Sequence, residues 1–128
     1  MAVVGPGEDT SAAGGLAIGL LPSADSRDGA AGLTVALATG LGEARNAVLV
    51  SSALAVIGCG VNPGTVSELA LALRERKPTA LVGASTDVAE FFATLAGTGP
   101  FAAVATPAAA VDWVAAQLRS RQPSVQSA

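Results

Sequence analysis

The sequence predicts an α/β fold, a parallel β-sheet flanked by helices. Three observations carry that expectation. The short apolar segment Ala53–Ile57 shows no polar alternation, as expected of a parallel strand covered on both faces. Other segments show helical spacing, such as Val66, Leu69 and Leu73 at i, i+3 and i+7. The two kinds alternate through short turns marked by Gly or Pro, the pattern of strand–helix–strand units.

Taken in order, Val3 and Val4 are either a short strand before a Gly-Pro-Gly turn or a frayed start. Gly15–Leu21 reads as a strand closed by Pro22, and Ser23–Ala31 as a polar loop. Leu33–Ala38 is the next strand, followed by the turn Thr39–Gly42 and a helix over Glu43–Ser51. Ala53–Ile57 is a buried strand, and Gly58–Thr65 a glycine-rich loop. A helix from Thr65 or Val66 to Arg76 ends in cations that complement its dipole, before Pro78 stops it. Thr79–Val82 is a strand, and Ser85 caps a helix that reaches Ala96. Pro100–Ala105 is the last strand; Thr106-Pro107 opens a helix with a stripe of Val111, Val114, Ala115 and Leu118. Residues 1–119 thus read as a single domain with an atypical start at 1–13, and 120–128 as a polar, mobile tail.

Composition removes several classes of function. The 128 residues contain no His, which excludes a Ser-His-Asp triad, a Cys-His dyad and any His-containing zinc site. A lone cysteine, Cys59, forms no internal disulfide and supplies no Cys-rich metal site, so no metal ligand set is expected. Seven Lys and Arg against ten Asp and Glu leave a net charge of −3, a poor basis for broad nucleic-acid binding. No apolar run approaches the ~20 residues of a membrane span, and no basic n-region opens the chain. A cytoplasmic protein with no membrane or nucleic-acid partner is the expectation. Three Phe, one Trp and no Tyr leave a core of Ala, Val and Leu, which gains from burial in a homo-oligomer, a dimer or higher.

In parallel sheets, ligands bind at the carboxyl ends of the strands. The richest such place is Gly58–Glu68, GCGVNPGTVSE. Gly58, Gly60 and Gly64 permit positive φ and close backbone approach. The helix N-terminus after Gly64-Thr65 offers N–H groups and a positive dipole end to a phosphate or another anion. Thr65 either caps the helix or donates to a phosphate oxygen. The loop is neither a Walker A motif nor a dinucleotide GxGxxG, since no Gly-Lys-Ser/Thr follows and Asn62-Pro63-Gly64 shifts the spacing. Glu68, three residues after Thr65, either closes a capping box or faces a ribose or leaving group. A second place is TGLGEARN, Thr39–Asn46, with Gly40 in the turn. There Arg45 clamps a phosphate or carboxylate, or pairs with Glu43 or Glu68. Cys59 is either a small buried filler or a thiol activated by the helix N-terminus. Asp25, Arg27 and Asp28 read as a solvated loop.

The runs GGLAIGLLP (Gly14–Pro22), ALATGLGEARNAVLVSSALAVIG (Ala36–Gly58) and PGTVSELALALRERKPTALVG (Pro63–Gly83) resemble the lysine-decarboxylase-like Rossmann superfamily. That group includes the Lonely Guy phosphoribohydrolases and the molybdenum-cofactor carrier proteins. The resemblance implies a Rossmann-like, nucleotide-binding fold, with the chain N-terminally shortened relative to its kin. The central first strand would then be missing and sheet edges left unpaired. Lonely Guy enzymes carry a PGGxGTxxE loop; here Gly64, Thr65 and Glu68 match it, whereas Gly60, Val61 and Asn62 stand at its Pro-Gly-Gly. Arg45 matches the upstream catalytic Arg, and Asn46 stands where Lys is usual.

By that resemblance, the phosphate-holding role maps onto Thr65 and catalysis onto Arg45 and Glu68; the candidate phosphate-binding set read from the two glycine-rich turns is Gly58, Gly60, Asn62, Gly64 and Thr65 with Gly40 and Asn46. The first expectation is a binding or carrier protein for a phosphorylated nucleotide or cofactor, including a molybdenum-cofactor-type pterin. The second is a nucleoside 5′-monophosphate phosphoribohydrolase, cleaving the N-glycosidic bond. Arg45 would orient the ribose phosphate, and Glu68 would stabilise the cationic transition state or activate water. The third is an interaction protein with a vestigial site. Lysine decarboxylation is excluded, because the single Lys, Lys77, lies at a helix end.

Overall fold

The computed structural model describes residues 14–122. The expectations for Val3-Val4, the start at 1–13 and the tail beyond 122 lie outside them. The described residues divide into two compact units, the first ending at Ala53 and the second beginning at Leu54. All five described strands pair in parallel, two in the first unit and three in the second. Among the described residues, no helix is long and apolar enough to cross a membrane.

The first unit holds β1 (Ile18–Leu21), β2 (Val35–Ala38) and helix α1 (Arg45–Ser52), with short 3₁₀ turns at Ser26–Asp28 and Gly42–Ala44. β1 pairs with β2 from Ile18↔Val35 to Leu21↔Ala38. Both strands start later than expected. Ahead of them, the Ala17 carbonyl accepts from the N–H groups of Thr34 and Val35, and the Thr34 hydroxyl accepts from Ala17 N–H. A side chain at Gly19 would meet Leu33 at 2.6 Å, so Leu33 packs across the sheet rather than extending it. Ala17, Leu21, Leu49 and Val50 form the buried part of this unit. Within the expected polar loop, the Asp25 carboxylate caps the first 3₁₀ turn through Arg27 N–H and pairs with the Arg27 guanidinium. That pairing holds the exposed Asp25 carboxyl below its ordinary range and raises Arg27.

The second unit is the order β3-β4-β5 with helices on both faces. Its elements are β3 (Val56–Cys59), α2 (Pro63–Arg74), β4 (Thr79–Val82), α3 (Thr86–Ala96), β5 (Phe101–Val104) and α4 (Pro107–Arg121). β4 is central and buried at all four positions, as a parallel strand covered on both faces is; its one polar residue, Thr79, donates its hydroxyl to the Lys77 carbonyl. Its period-2 alternation feeds two cores. Ala80 and Val82 pack with Ala110 and Val114 of α4. Leu81 packs on the other face with Leu69 of α2 and Phe92 of α3, where the Phe92 and Phe101 ring centroids lie 6.3 Å apart.

Other boundaries differ from expectation too. The helix expected from Glu43 begins at Arg45, with Glu43 in the 3₁₀ turn before it. β3 begins at Val56, not Ala53, because α1 runs to Ser52 and Ala53 N–H closes it on the Val50 carbonyl. Gly58 and Cys59 therefore belong to the strand, and none of residues 53–57, read as a buried strand, is buried: Leu54 and Ile57 are exposed, because β3 is the edge of the β3-β4-β5 order. α2 begins at Pro63, with Asn62 as its N-cap, and ends at Arg74. α4 continues through Ser120 to Arg121, so the first residues assigned to the tail are helical.

Candidate functional site

The carboxyl end of β3 and the start of α2 build the site-like loop of the second unit. Asn62 is extended, and its Oδ1 accepts from Thr65 N–H at 3.0 Å, while its carbonyl accepts from Val66 N–H at 2.9 Å. Asn-Pro-Gly is thus N-cap, N1 and N2, a sequence suited to a helix start because Pro needs no N–H partner there. Thr65 is the third helical residue and not the cap. Its methyl faces Gly58 instead. A capping box on Asn62 would place its acid at Thr65, so Glu68, a turn further on, does not close one. Glu68 is half-buried on α2.

Gly58 is a packing glycine. A Cβ there would stand 3.0 Å from Thr65 Cγ2 and 3.1 Å from Leu69 Cδ2. The missing side chain lets α2 lie close on β3. Gly60 is different. Its φ is +77° with open space where a Cβ would project. It turns the chain from strand to helix in a conformation that L side chains disfavour. Cys59, Gly60, Val61 and Asn62 are all exposed, which overturns the buried-filler reading of Cys59.

The donors of the first helical turn are already partly committed. Pro63 has none, and Thr65 and Val66 give theirs to Asn62. Gly64 N–H is the remaining backbone donor of that turn, beside the Thr65 hydroxyl and the positive end of a twelve-residue helix. A Cβ on Gly64 would meet Asn62 Oδ1 at 3.2 Å, so the Asn62 carboxamide lies over this position. The surface suits one anionic group approaching Gly64 and Thr65. Among the described residues, no three His, Cys, Asp or Glu side chains cluster as metal ligands.

Gly40, Arg45 and Asn46 belong to the first unit. Gly40 N–H donates to the Ser23 carbonyl, and the Thr39 hydroxyl to that of Leu21, so the turns after β1 and β2 are tied together. Arg45 opens α1; its Nη1 donates to the Gly42 carbonyl at 3.1 Å and lies 3.6 Å from Glu43 Oε1. Glu43, one of the expected partners, thus pairs with it within the unit. Asn46 is 2% exposed and sits in the interior of the unit.

The sequence reading missed Asn62 as the helix cap and the packing role of Gly58. The first had a signal, Asn before Pro in front of an apolar helical stripe. The second had none, because it depends on which helix crosses the strand.

The family model described as the SLOG cluster4 family matches residues 1–111. An uncharacterised protein of Archaeoglobus fulgidus is 41% identical over 72 residues, which span 52% of this chain and 44% of that protein. The molybdenum cofactor binding protein from the phototrophic bacterium Rippkaea orientalis is similar in structure, with a TM-score of 0.82 at 32% identity, over 91% of this chain and 77% of that one. The molybdenum cofactor carrier protein of Chlamydomonas reinhardtii aligns with a TM-score of 0.74 at 32% identity, over 86% of this chain and 66% of the carrier.

Proposed function

Because this chain belongs to the SLOG cluster4 family, we propose that it binds a phosphorylated small molecule, specifically a molybdenum-cofactor-type pterin, as a carrier. The observation that supports this most directly is its likeness, over 91% of its length, to a molybdenum cofactor binding protein. The α2 N-terminus agrees chemically with such a cargo. The phosphate end would accept from Gly64 N–H and the Thr65 hydroxyl and lie at the positive end of the helix dipole. Gly60 keeps the approach clear of side chains. Asn62 holds Thr65 N–H and so rigidifies the turn. Carrying a cofactor requires no acid or base at a breaking bond, which fits a chain without His.

The test is retention of cargo. The purified protein is incubated anaerobically with cofactor released from a molybdoenzyme and desalted. Its molybdenum is then measured by mass spectrometry and its pterin by fluorescence after oxidation. Stoichiometric retention is expected. Thr65→Val, which keeps the methyl facing Gly58 and deletes the hydroxyl, should weaken retention by about 1–2 kcal/mol, roughly tenfold. Failure of the folded wild-type protein to retain molybdenum or pterin refutes the carrier reading.

A second reading, nucleoside 5′-monophosphate phosphoribohydrolysis, is favoured by Glu68, half-buried on the same helix that forms the anion end. Incubation with AMP separates the two. Release of adenine, lost in Glu68→Gln and Arg45→Ala, would establish the hydrolase.

A further inference from the structure

Five of the seven cations of this acidic chain lie at two helix ends of the second unit. Arg74, Arg76 and Lys77 close α2, and Arg119 and Arg121 close α4. The structure joins these ends, since Arg121 Nη2 donates to the Arg76 carbonyl at 2.9 Å. Glu75, which pairs with Lys77 at 3.2 Å, is the one acid of the ten in the two segments. The segments therefore carry +4 and the rest of the chain −7, within a total of −3. All four arginines are exposed.

Helix-dipole complementarity accounts for cations in the last turns, but not for Arg76. Arg76 follows the helix in a left-handed conformation, φ +54°, the only non-glycine residue with positive φ among those described. Its N–H donates to the Leu73 carbonyl and Lys77 N–H to that of Ala72. This is the reverse turn that ends many helices, and glycine is its usual occupant at this position. A strained backbone is thus maintained where a guanidinium is displayed, beyond what the turn itself asks for. That guanidinium makes a long hydrogen bond, 3.5 Å to Thr98 Oγ1.

We propose that this arginine cluster is a docking surface for an acidic protein partner. Guanidinium forks match carboxylates in pairs, and a compact positive patch on a negative chain fixes the orientation of an acidic partner during encounter. A nucleic acid fits less well. The two segments supply no aromatic side chain for stacking, and the charge of −7 elsewhere repels a long polyanion. The patch lies at the opposite end of α2 from Gly64 and Thr65, about 18 Å along twelve residues. A partner held there leaves the candidate loop uncovered.

The test uses the full chain and a fluorescein-labelled polyglutamate peptide, read by anisotropy, with a labelled DNA duplex alongside. Polyglutamate should bind at low salt and be released at about 0.5 M salt, where screening is short-ranged. Arg76→Gly and Arg121→Gln should each weaken binding about threefold, and Arg27→Gln, a cation of the first unit, should not. Arg76→Gly should at the same time raise the unfolding temperature, since glycine relieves the left-handed strain. No binding of polyglutamate, or tighter binding of DNA, overturns the proposal. So does self-association abolished by the same variants, which would make the partner a second copy. Arg76→Gly that lowers the unfolding temperature and leaves binding unchanged would make Arg76 a structural residue and overturn it too.

Discussion

Replacing Asn62 by Asp tests the anion end of α2, because it should move stability and ligand affinity in opposite directions. Asn62 Oδ1 accepts from Thr65 N–H at 3.0 Å, and a carboxylate oxygen takes the same place without a change of shape. As an anion at a helix N-terminus it should stabilise the fold by about 0.3–1 kcal/mol. A phosphate accepting from Gly64 N–H would sit roughly 6 Å from that carboxylate, since the carboxamide already lies over Gly64. A phosphate charge of about −2 then meets the new charge with about 1.4 kcal/mol of repulsion in a water-like dielectric, roughly a tenfold loss of affinity. The assay pairs thermal unfolding with equilibrium dialysis against AMP and the molybdenum-cofactor pterin at low ionic strength, and again at high salt, where the loss should shrink. Asn62→Ala is the control. It lacks the cap and should cost about 1 kcal/mol of stability without introducing repulsion. If the Asp variant binds both ligands as tightly as wild type at low salt, no phosphate lies near Gly64, and the proposed site is wrong.

Three further outcomes follow from the packing and the charges. Gly58→Ala should lower stability by about 1–3 kcal/mol, because the new methyl overlaps Thr65 and Leu69; denaturant unfolding reads it, and an unchanged midpoint would mean that α2 does not lie tight on β3. Leu69→Ala should cost about 2–5 kcal/mol, since Leu69 is fully buried between Leu81 and Phe92; a loss under about 1 kcal/mol would refute the core assignment. Asp25, held low by the Arg27 side chain and then by Arg27 N–H, should titrate below 3.8 by NMR and return toward that value in Arg27→Gln. Its folded pKa is depressed, so its contribution to stability is present above the unfolded value and is lost as pH falls through the folded one.

Much of the fold was legible because local patterns and tertiary demands agree. Thr79–Val82 reads as a strand, and the structure uses all four residues as one, with the sides of β4 feeding separate cores. The last helix, with Pro107 at its first turn and an apolar stripe, was recognisable for the same reason. Boundaries were less legible where two apolar segments run together. In NAVLVSSALAVIG, helix and strand compete for the same Val and Ala residues, and the choice falls to pairing with β4, whose Thr79 aligns with Val56. That pairing moved Gly58 out of the loop and into the sheet.

The candidate site divides in the same way. Composition and order alone determined that this chain has no His chemistry and no Cys-rich metal centre, and that its richest ligand-binding signal is a glycine loop leading into a helix. These depend only on which residues are present and on short-range spacing. Only the tertiary structure decided the roles of the individual residues. Gly58 serves packing because Leu69 crosses it, and Asn62 rather than Thr65 takes the cap because the helix begins at Pro63. Arg76 and Arg121, 45 positions apart, meet because α2 and α4 end beside one another. Contacts between residues so distant in the chain are set by the packing of whole elements, which spacing along a sequence does not encode.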